Sequence, residues 1–400
     1  MSDEQKVRDG LEAIAVPPSL VQIESVLPAA RKQAFRRTAT RAVVGASLAV
    51  GVLVAVPSVL LRPTAATAPM VIQPALQRAS EAPASPAACR IAELPVPKGM
   101  KNVVAFAVDP TGRYIVGNGT KGQDFRPVLW TGGTAEALPV IADSVQLTAV
   151  NAAGVVVGLA TRNNEDTVFR YENGAYTELD LPEGDWHPYP EPAINAAGDV
   201  VINAEPQGNI EGKGAIALLW PSGSTTPVKL PLPKGGHVQE ILDDGRVAGG
   251  IYVDGSGSEP WVWSQDGKGQ KLAVPAGHKA VAYSISGDWV TGGIWEPGSV
   301  GLWNLRSGEL TQVEGDQNPG IAVNASGWVV DSSGRLLRDG KVTELPVPDK
   351  KQEAQATDLS DTGLLVGSVT VPRSAKEDQA LVDAGATIPA TPQYPRTWQC

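Results

Sequence analysis

The sequence predicts an all-β fold: a seven-bladed β-propeller closed by its own N-terminal strand, preceded by a single transmembrane helix and a short helical cytoplasmic segment. Three observations predict it. A turn motif returns seven times, an outer-strand motif has one copy displaced to the start of the repeat region, and the composition is rich in Gly (43) and Pro (33) with only 19% charged residues. Such a composition suits short strands joined by turns rather than long helices. Length alone would divide 400 residues into two or three domains, but a repeat array can use about 300 residues as one unit.

Residues 1–41 carry seven basic and five acidic side chains, with Arg31, Lys32, Arg36, Arg37 and Arg41 gathered at the end. Residues 42–61, AVVGASLAVGVLVAVPSVLL, contain no charge and are bounded by Arg41 and Arg62. Twenty residues at helical rise span ~30 Å, the thickness of a bilayer core. The basic cluster before the span is expected to keep residues 1–41 in the cytoplasm and to export the chain beyond residue 61. A cleaved signal peptide is the rival reading, but its apolar core is usually ~7–15 residues and its leader shorter. Residues 62–88, rich in Pro, Ala, Ser and Thr, cannot bury a core and are expected to act as a spacer. The expected location is the cell membrane, single-pass, with the propeller extracellular.

From residue 89 to 400 there are 24 Lys and Arg against 37 Asp and Glu, a net charge of −13. A surface this acidic repels phosphate backbones, which excludes nucleic acid as a partner of the large domain.

The seven instances of the turn motif are FAVDPTGRYIVG, TAVNAAGVVVG, PAINAAGDVVIN, EILDDGRVAGG, YSISGDWVTGG, IAVNASGWVVD and TDLSDTGLLVG. Their glycines, Gly112, Gly154, Gly198, Gly245, Gly287, Gly327 and Gly363, are 42, 44, 47, 42, 40 and 36 residues apart. A period near 40 with strand chemistry marks four-stranded blades. The Asp, Asn or Ser before each glycine can hydrogen-bond the turn backbone, and Gly accepts the positive φ that other residues resist. No copy has the dense acidic spacing of a calcium loop. A third strand comes next with an aromatic near its end: Trp130, Tyr171, Trp220, Trp263 and Trp303, with only GRLL in the sixth repeat. Large rings at one repeated strand position seal blade against blade.

The fourth strand reads AEALPV, YTELDLP, VKLPLP, QKLAVP, GELTQV and VTELPVP. That is six copies for seven third strands, because the seventh, IAELPVP at 91–97, precedes the first blade. The last repeat ends at PRTWQC, with Trp398 in the aromatic slot. The N-terminal strand therefore completes the final blade and removes the open seam. This circular reading brings Cys89 and Cys400, the two cysteines of the sequence, side by side where other blades have a hairpin turn. A disulfide there suits an exported domain. Two ligands do not complete a zinc site, and there is no C-x-x-C pair.

The repeat resembles the bacterial extracellular repeats named for a His-Ala-Phe tripeptide, built on A-x-x-[IVL]-N-x-x-G-x-[VI]-V-G followed by a Trp strand; TAVNAAGVVVGL is the best copy. The Trp-Asp dipeptide of the eukaryotic propeller repeats is absent. The resemblance covers residues 89–400 and implies the fold, while propellers host unrelated activities. In layout, the leader and span are similar to actinobacterial transmembrane regulators that restrain sigma factors, although the His and Cys residues of their zinc-binding pattern are missing.

The three histidines, His187, His237 and His278, are expected between a fourth strand and the next first strand in blades three, four and five, on one rim. Trp186, His187 and Tyr189 lie in the aromatic connection EGDWHPYPEP. These five residues are the ligand-binding candidates. The longest second-to-third loops are expected at 118–127, 161–166 and 205–214, on the same rim. No G-x-S-x-G, H-E-x-x-H or supported Ser/His/Asp order occurs, and neither a metal site nor a cofactor is indicated. The expected role is a binding or sensing module for a protein, peptide or glycan. The alternatives are a regulator whose residues 1–41 hold a sigma factor or similar protein, and a carbohydrate-active enzyme using two carboxylates in the central funnel.

Overall fold

The computed structural model describes residues 89–121, 124–209, 212–253, 255–296, 298–313, 318–339, 341–374 and 391–400. The expected cytoplasmic segment (1–41), transmembrane helix (42–61) and linker (62–88) lie outside the described residues. Among the described residues no helix is long and apolar enough to cross a membrane. The described chain forms seven four-stranded antiparallel sheets, each laid down from the axis outward. The innermost strands of blades 1 to 7 are Val104–Val108, Ser144–Val150, Trp186–Ile194, Gly236–Ile241, Lys279–Ser286, Gly320–Val323 and Glu353–Leu359. In blade 7 the outermost strand is Arg90–Glu93, paired antiparallel with Gln393–Gln399 so that Ile91 faces Trp398 and Glu93 faces Arg396. The first strand of the ring thus completes its last sheet. The Arg396 guanidinium donates to Glu93 at 2.9 Å across that pairing, and Cys89 is disulfide-bonded to Cys400 over a sequence separation of 311.

Apolar side chains fill the spaces between blades because both faces of each sheet are covered by neighbours. Trp130, Trp220, Trp263, Trp303 and Trp398 are fully buried, and losing such a ring costs about 3–5 kcal/mol. Four of these indoles also tie their blade to the preceding one. Trp130 donates to the Pro95 carbonyl, Trp220 to Asp180, Trp303 to Ala273 and Trp398 to Pro346, at 2.6–3.0 Å. Each acceptor lies just past the outer strand of the preceding blade. The uniform Leu-Pro-type sequence is therefore a docking edge for the next blade's indole as well as a strand.

The repeat turn does two jobs as well. Asn151 Oδ1 accepts the amides of Ala153 and Val155, and Asn324 Oδ1 those of Ser326 and Trp328. Their Nδ2 groups donate to carbonyls of the following blade, Asn195 and Ser360, at 3.0 and 3.1 Å. Asn195 repeats the pattern onto Leu242. An Asp can close the turn but has no proton for that inter-blade bond, which explains the preference for Asn. The turn glycine is constrained twice. Gly327 has φ +76°, and a Cβ there would meet the Trp289 ring of blade 5 at 2.8 Å; Gly154 has φ +81°, and a Cβ there would meet the Tyr114 ring of blade 1 at 2.9 Å. Glycine is required by conformation and by the neighbouring blade together.

Several loop expectations need correction. His187 and His237 lie within inner strands rather than in connections, because the chain enters strand at Trp186 and at Gly236. Residues 118–127 and 161–166 are largely hairpin: strands run to Lys121 and Arg162 and resume at Asp124 and Glu165. Asn163 and Asn164, at φ 50° and 65°, make the two-residue turn that matches strand twist. Only 205–214 holds a longer connection.

Two substitutions test the seam and the turn. Cys400→Ser frees a loop of about 300 residues, so unfolding monitored by urea titration should shift to lower urea, with blade-type circular dichroism retained; the chain-entropy treatment gives on the order of 5 kcal/mol. An unchanged midpoint would refute the staple. Asn324→Asp keeps the turn acceptor but removes the donor facing Ser360, and should cost about 1–3 kcal/mol; equality with wild type would remove the inter-blade role.

Candidate functional site

The fold's inner strands carry a common irregularity. In six blades one residue is left unpaired in the register: Phe106, Thr148, Gln239, Tyr283, Ile321 and Thr357. In blade 3 the irregularity widens to Pro190, Glu191 and Pro192, between Tyr189 and Ala193, with a cis Tyr189–Pro190 bond. A bulge re-aims side chains and bends the strand. Here the irregularity recurs in all seven inner strands; the Thr148 and Thr357 hydroxyls turn onto the next blade, at Pro192 and Ala105, so the character of the channel is left to other side chains.

On blades 2 to 5 the lining is polar and aromatic. Gln146 donates to Glu191 at 2.9 Å, and Gln239 donates to the Tyr252 hydroxyl at 3.4 Å. Tyr189, Tyr252 and Tyr283 come from blades 3, 4 and 5 and lie close enough to perturb one another's ionisation. Burial pushes all three phenols up, Tyr283 to about 12, and the nearby Glu205 and Glu191 carboxylates add to the effect on Tyr189. The rings are therefore neutral phenols that can donate or accept. Glu205, only 4% exposed, accepts the Gly212 amide at 3.0 Å. On blades 1 and 6 the corresponding bulge residues are the half-buried Phe106 and Ile321, which also pack against the cores shared with blades 2 and 7.

Immediately after the bulge, blades 1, 2, 3 and 6 have alanine: Ala107, Ala149, Ala193 and Ala322. Blades 4, 5 and 7 have Glu240, Ser284 and Asp358. Each accepts a backbone amide of the next blade: Ile285, Val323 and Val108 at 2.9, 3.1 and 2.9 Å. Burial raises the pKa of both carboxyls, Asp358 to about 7 with the Glu240 charge adding to it. Blades 4 and 7 are not neighbours, so two carboxyls that repel one another both face the axis. At the adjoining turns Asp361 accepts from Ser286 of blade 5 and the Ala325 amide of blade 6, while its own amide donates to Pro110 of blade 1. These bonds draw four blades together at the end where the inner strands finish. The opposite mouth is where they begin.

The five sequence candidates divide. Tyr189 joins the channel lining. His237 is 4% exposed, packs on Tyr252 with ring centroids 4.4 Å apart and holds the Gly235 carbonyl through Nδ1 at 2.9 Å. Burial lowers its pKa despite the backbone carbonyls of Gly235 and Gly212; it is a neutral support for Tyr252. Trp186 packs partly buried against the core between blades 2 and 3. His187 lies opposite Glu205 in the strand pairing. His278 sits in the turn before blade 5 with Nδ1 at 3.1 Å from the Ala276 carbonyl. Among the described residues no group of three His, Cys, Asp or Glu side chains is placed to hold a metal ion. Sequence reasoning missed Gln146, Glu191, Gln239, Glu240, Tyr252, Tyr283 and Asp358. Three of them, Glu240, Tyr283 and Asp358, occupy the first two letters of the repeat copies.

No protein-family model matches the sequence, and no curated protein matches it. Among solved structures the fold is similar to an oligogalacturonate lyase in complex with manganese, at 11% identity over 78% of this chain and 93% of that one, TM-score 0.47. It is also similar to the β-propeller domain of the Trilobed protease from Pyrococcus furiosus, at 9% identity over 75% and 93%, TM-score 0.47. A gluconolactonase from Xanthomonas campestris matches at 12% identity over 78% and 89%, TM-score 0.36. These are likenesses of fold.

The channel carboxyls set a pH response. A raised folded-state pKa means the folded protein keeps protons that the unfolded chain releases near an aspartate's ordinary value of 3.8, so this stability is full at low pH and lost as pH rises towards 7. His237, buried neutral, acts in the opposite sense over part of that window. Asp358→Asn retains an oxygen for the Val108 amide and should flatten the fall in melting temperature between about pH 4 and 7. A variant curve parallel to wild type would contradict the assignment.

Proposed function

We propose that the protein is a ligand-binding propeller held outside the cytoplasm by residues 42–61, taking its ligand into the channel at the mouth bordered by blades 2 to 5. One observation carries this reading. The fold asks the same of every blade, and alanine or a small apolar residue meets that demand at the inner strands, yet blades 3 to 5 place half-buried phenols, amides and carboxyls there. Burying such groups costs free energy unless they are satisfied, and departures from a fold's local rules concentrate at functional sites. The export half of the reading rests on the charge-free span, the basic cluster before it and a disulfide suited to an oxidising compartment. A resemblance to extracellular His-Ala-Phe-type repeats supports the same placement.

A second reading is favoured by Glu240 and Asp358. Two carboxyls that face one another across an axis with raised pKa values are the parts of an acid–base pair, and glycoside hydrolysis uses such pairs. On that reading the channel turns a glycan over as well as holding it, and Glu240→Gln would abolish the activity.

The test is a thermal-shift screen of the full chain in detergent against a library of small polar compounds, paired with a topology assay using a C-terminal alkaline phosphatase fusion. The expected result is an active phosphatase outside the cytoplasm and stabilising compounds whose effect vanishes in Tyr283→Phe combined with Glu191→Gln. Shifts that survive the double variant would move binding away from the channel, and an inactive fusion would overturn the orientation.

A further inference from the structure

We infer that the channel ligand is a neutral carbohydrate, its hydroxyl edge on the Gln239–Tyr252–Tyr283 side and its C–H face towards Phe106 and Ile321. This rests on the channel being the binding site. The channel offers three kinds of hydrogen-bonding group. Phenols donate and accept, amides do both in fixed directions, and carboxylates only accept. A wall that mixes the three suits a molecule whose groups also both donate and accept, and a sugar carries such a hydroxyl on most of its carbons. A ligand without them would leave buried polar groups unpaired, which a site of this kind rejects strongly.

Charge narrows the class further. The seven inner strands contain Glu191, Glu240, Glu353 and Asp358, against Lys279 as their single Lys or Arg, which is exposed at the rim. An anionic sugar or a phosphate would meet like charge within the channel. The carboxyls do not call for a cation either. Glu240 and Asp358 already accept amides of the next blade, Glu191 accepts from Gln146, and Glu205 accepts from Gly212. What remains is a directional, uncharged requirement.

The asymmetry of the wall supplies the last step. The phenols and amides gather on blades 2 to 5, Asp358 of blade 7 is engaged by the Val108 amide, and the bulge positions of blades 1 and 6 are Phe106 and Ile321. A pyranose ring is amphipathic in the same way, with hydroxyls around its edge and C–H groups on its faces. Tyr252 is held in place for such contact by the His237 ring, 4.4 Å away.

The experiment is calorimetric titration of the full chain in detergent at about pH 7.5 with cellotriose, maltotriose and chitotriose, alongside trigalacturonate, tetramethylammonium and trialanine. At least one neutral trisaccharide is expected to bind saturably, trigalacturonate at least about ten-fold more weakly, and Tyr283→Phe and Gln239→Ala to weaken the neutral sugar about five-fold or more. Equal binding of trigalacturonate, or neutral binding indifferent to both substitutions, overturns the inference. Binding of tetramethylammonium or trialanine alone, sensitive to Tyr283→Phe, also overturns it but leaves the channel as a binding site. Silence from all six titrants removes both.

Discussion

The structure depends on closure of the ring. Each blade buries its apolar faces only because another blade stands on either side, so a gap at one place would expose two faces and two strand edges. The gap is filled by four residues, Arg90–Glu93, which pair with Gln393–Gln399 and lead into Pro95, the acceptor for the Trp130 indole of blade 1. A short strand pairing is weak by itself. The Cys89–Cys400 bond acts on the same seam from the other side, by denying the unfolded chain the freedom to separate its ends. Non-covalent docking and covalent constraint meet within a few residues of one another. The rest of the ring inherits its stability from that point.

Beyond the seam, the ring is held by contacts that recur from blade to blade. Indole to outer-strand carbonyl ties the outer edge, while asparagine amide to turn carbonyl and ring over glycine both act at the repeat turn. Because they repeat, they impose the same residue types at the same spacing, and that is why the architecture could be read from the sequence. TAVNAAGVVVG carries the asparagine, the glycine and the buried strand in one line. The displaced IAELPVP copy and the missing partner of Trp398 carried the closure. The boundary between turn and strand at the rim could not be read in the same way. Asn163-Asn164 tightens a segment that resembles a loop in composition, and Trp186 begins a strand whose prolines read as a connection.

The channel was less legible for a different reason. Repeats announce themselves by sameness, and the proposed binding wall consists of differences. The signal was present at the position after the bulge, where Ala107, Ala149, Ala193 and Ala322 contrast with Glu240, Ser284 and Asp358. Without the bulge there was no reason to know that this position faces the axis. Tyr252 gave no signal, because it comes from a second strand and reaches the lining by packing on His237. The histidines drew attention by rarity, and burial turns His237 into a support rather than a ligand group.

Symmetry then constrains what the channel can be. A perfectly repeated inner strand would give a seven-fold wall of identical groups, able to grip only a symmetric object on the axis. Breaking the repeat gathers phenols and amides on blades 2 to 5, while the buried carboxyls stand on blades 4 and 7, and the contacts between blades are kept. Glu240, Ser284 and Asp358 show how this is done at low cost. Each stands where other blades have alanine and takes up a backbone amide of the next blade, so a change that serves the axis also adds a bond to the ring. The bulges make this separation feasible, since they turn side chains out of the ladder while the ladder continues. An off-axis site is therefore the kind that this ring can evolve without reopening its seam, because each polar change on an inner strand also serves the join between blades.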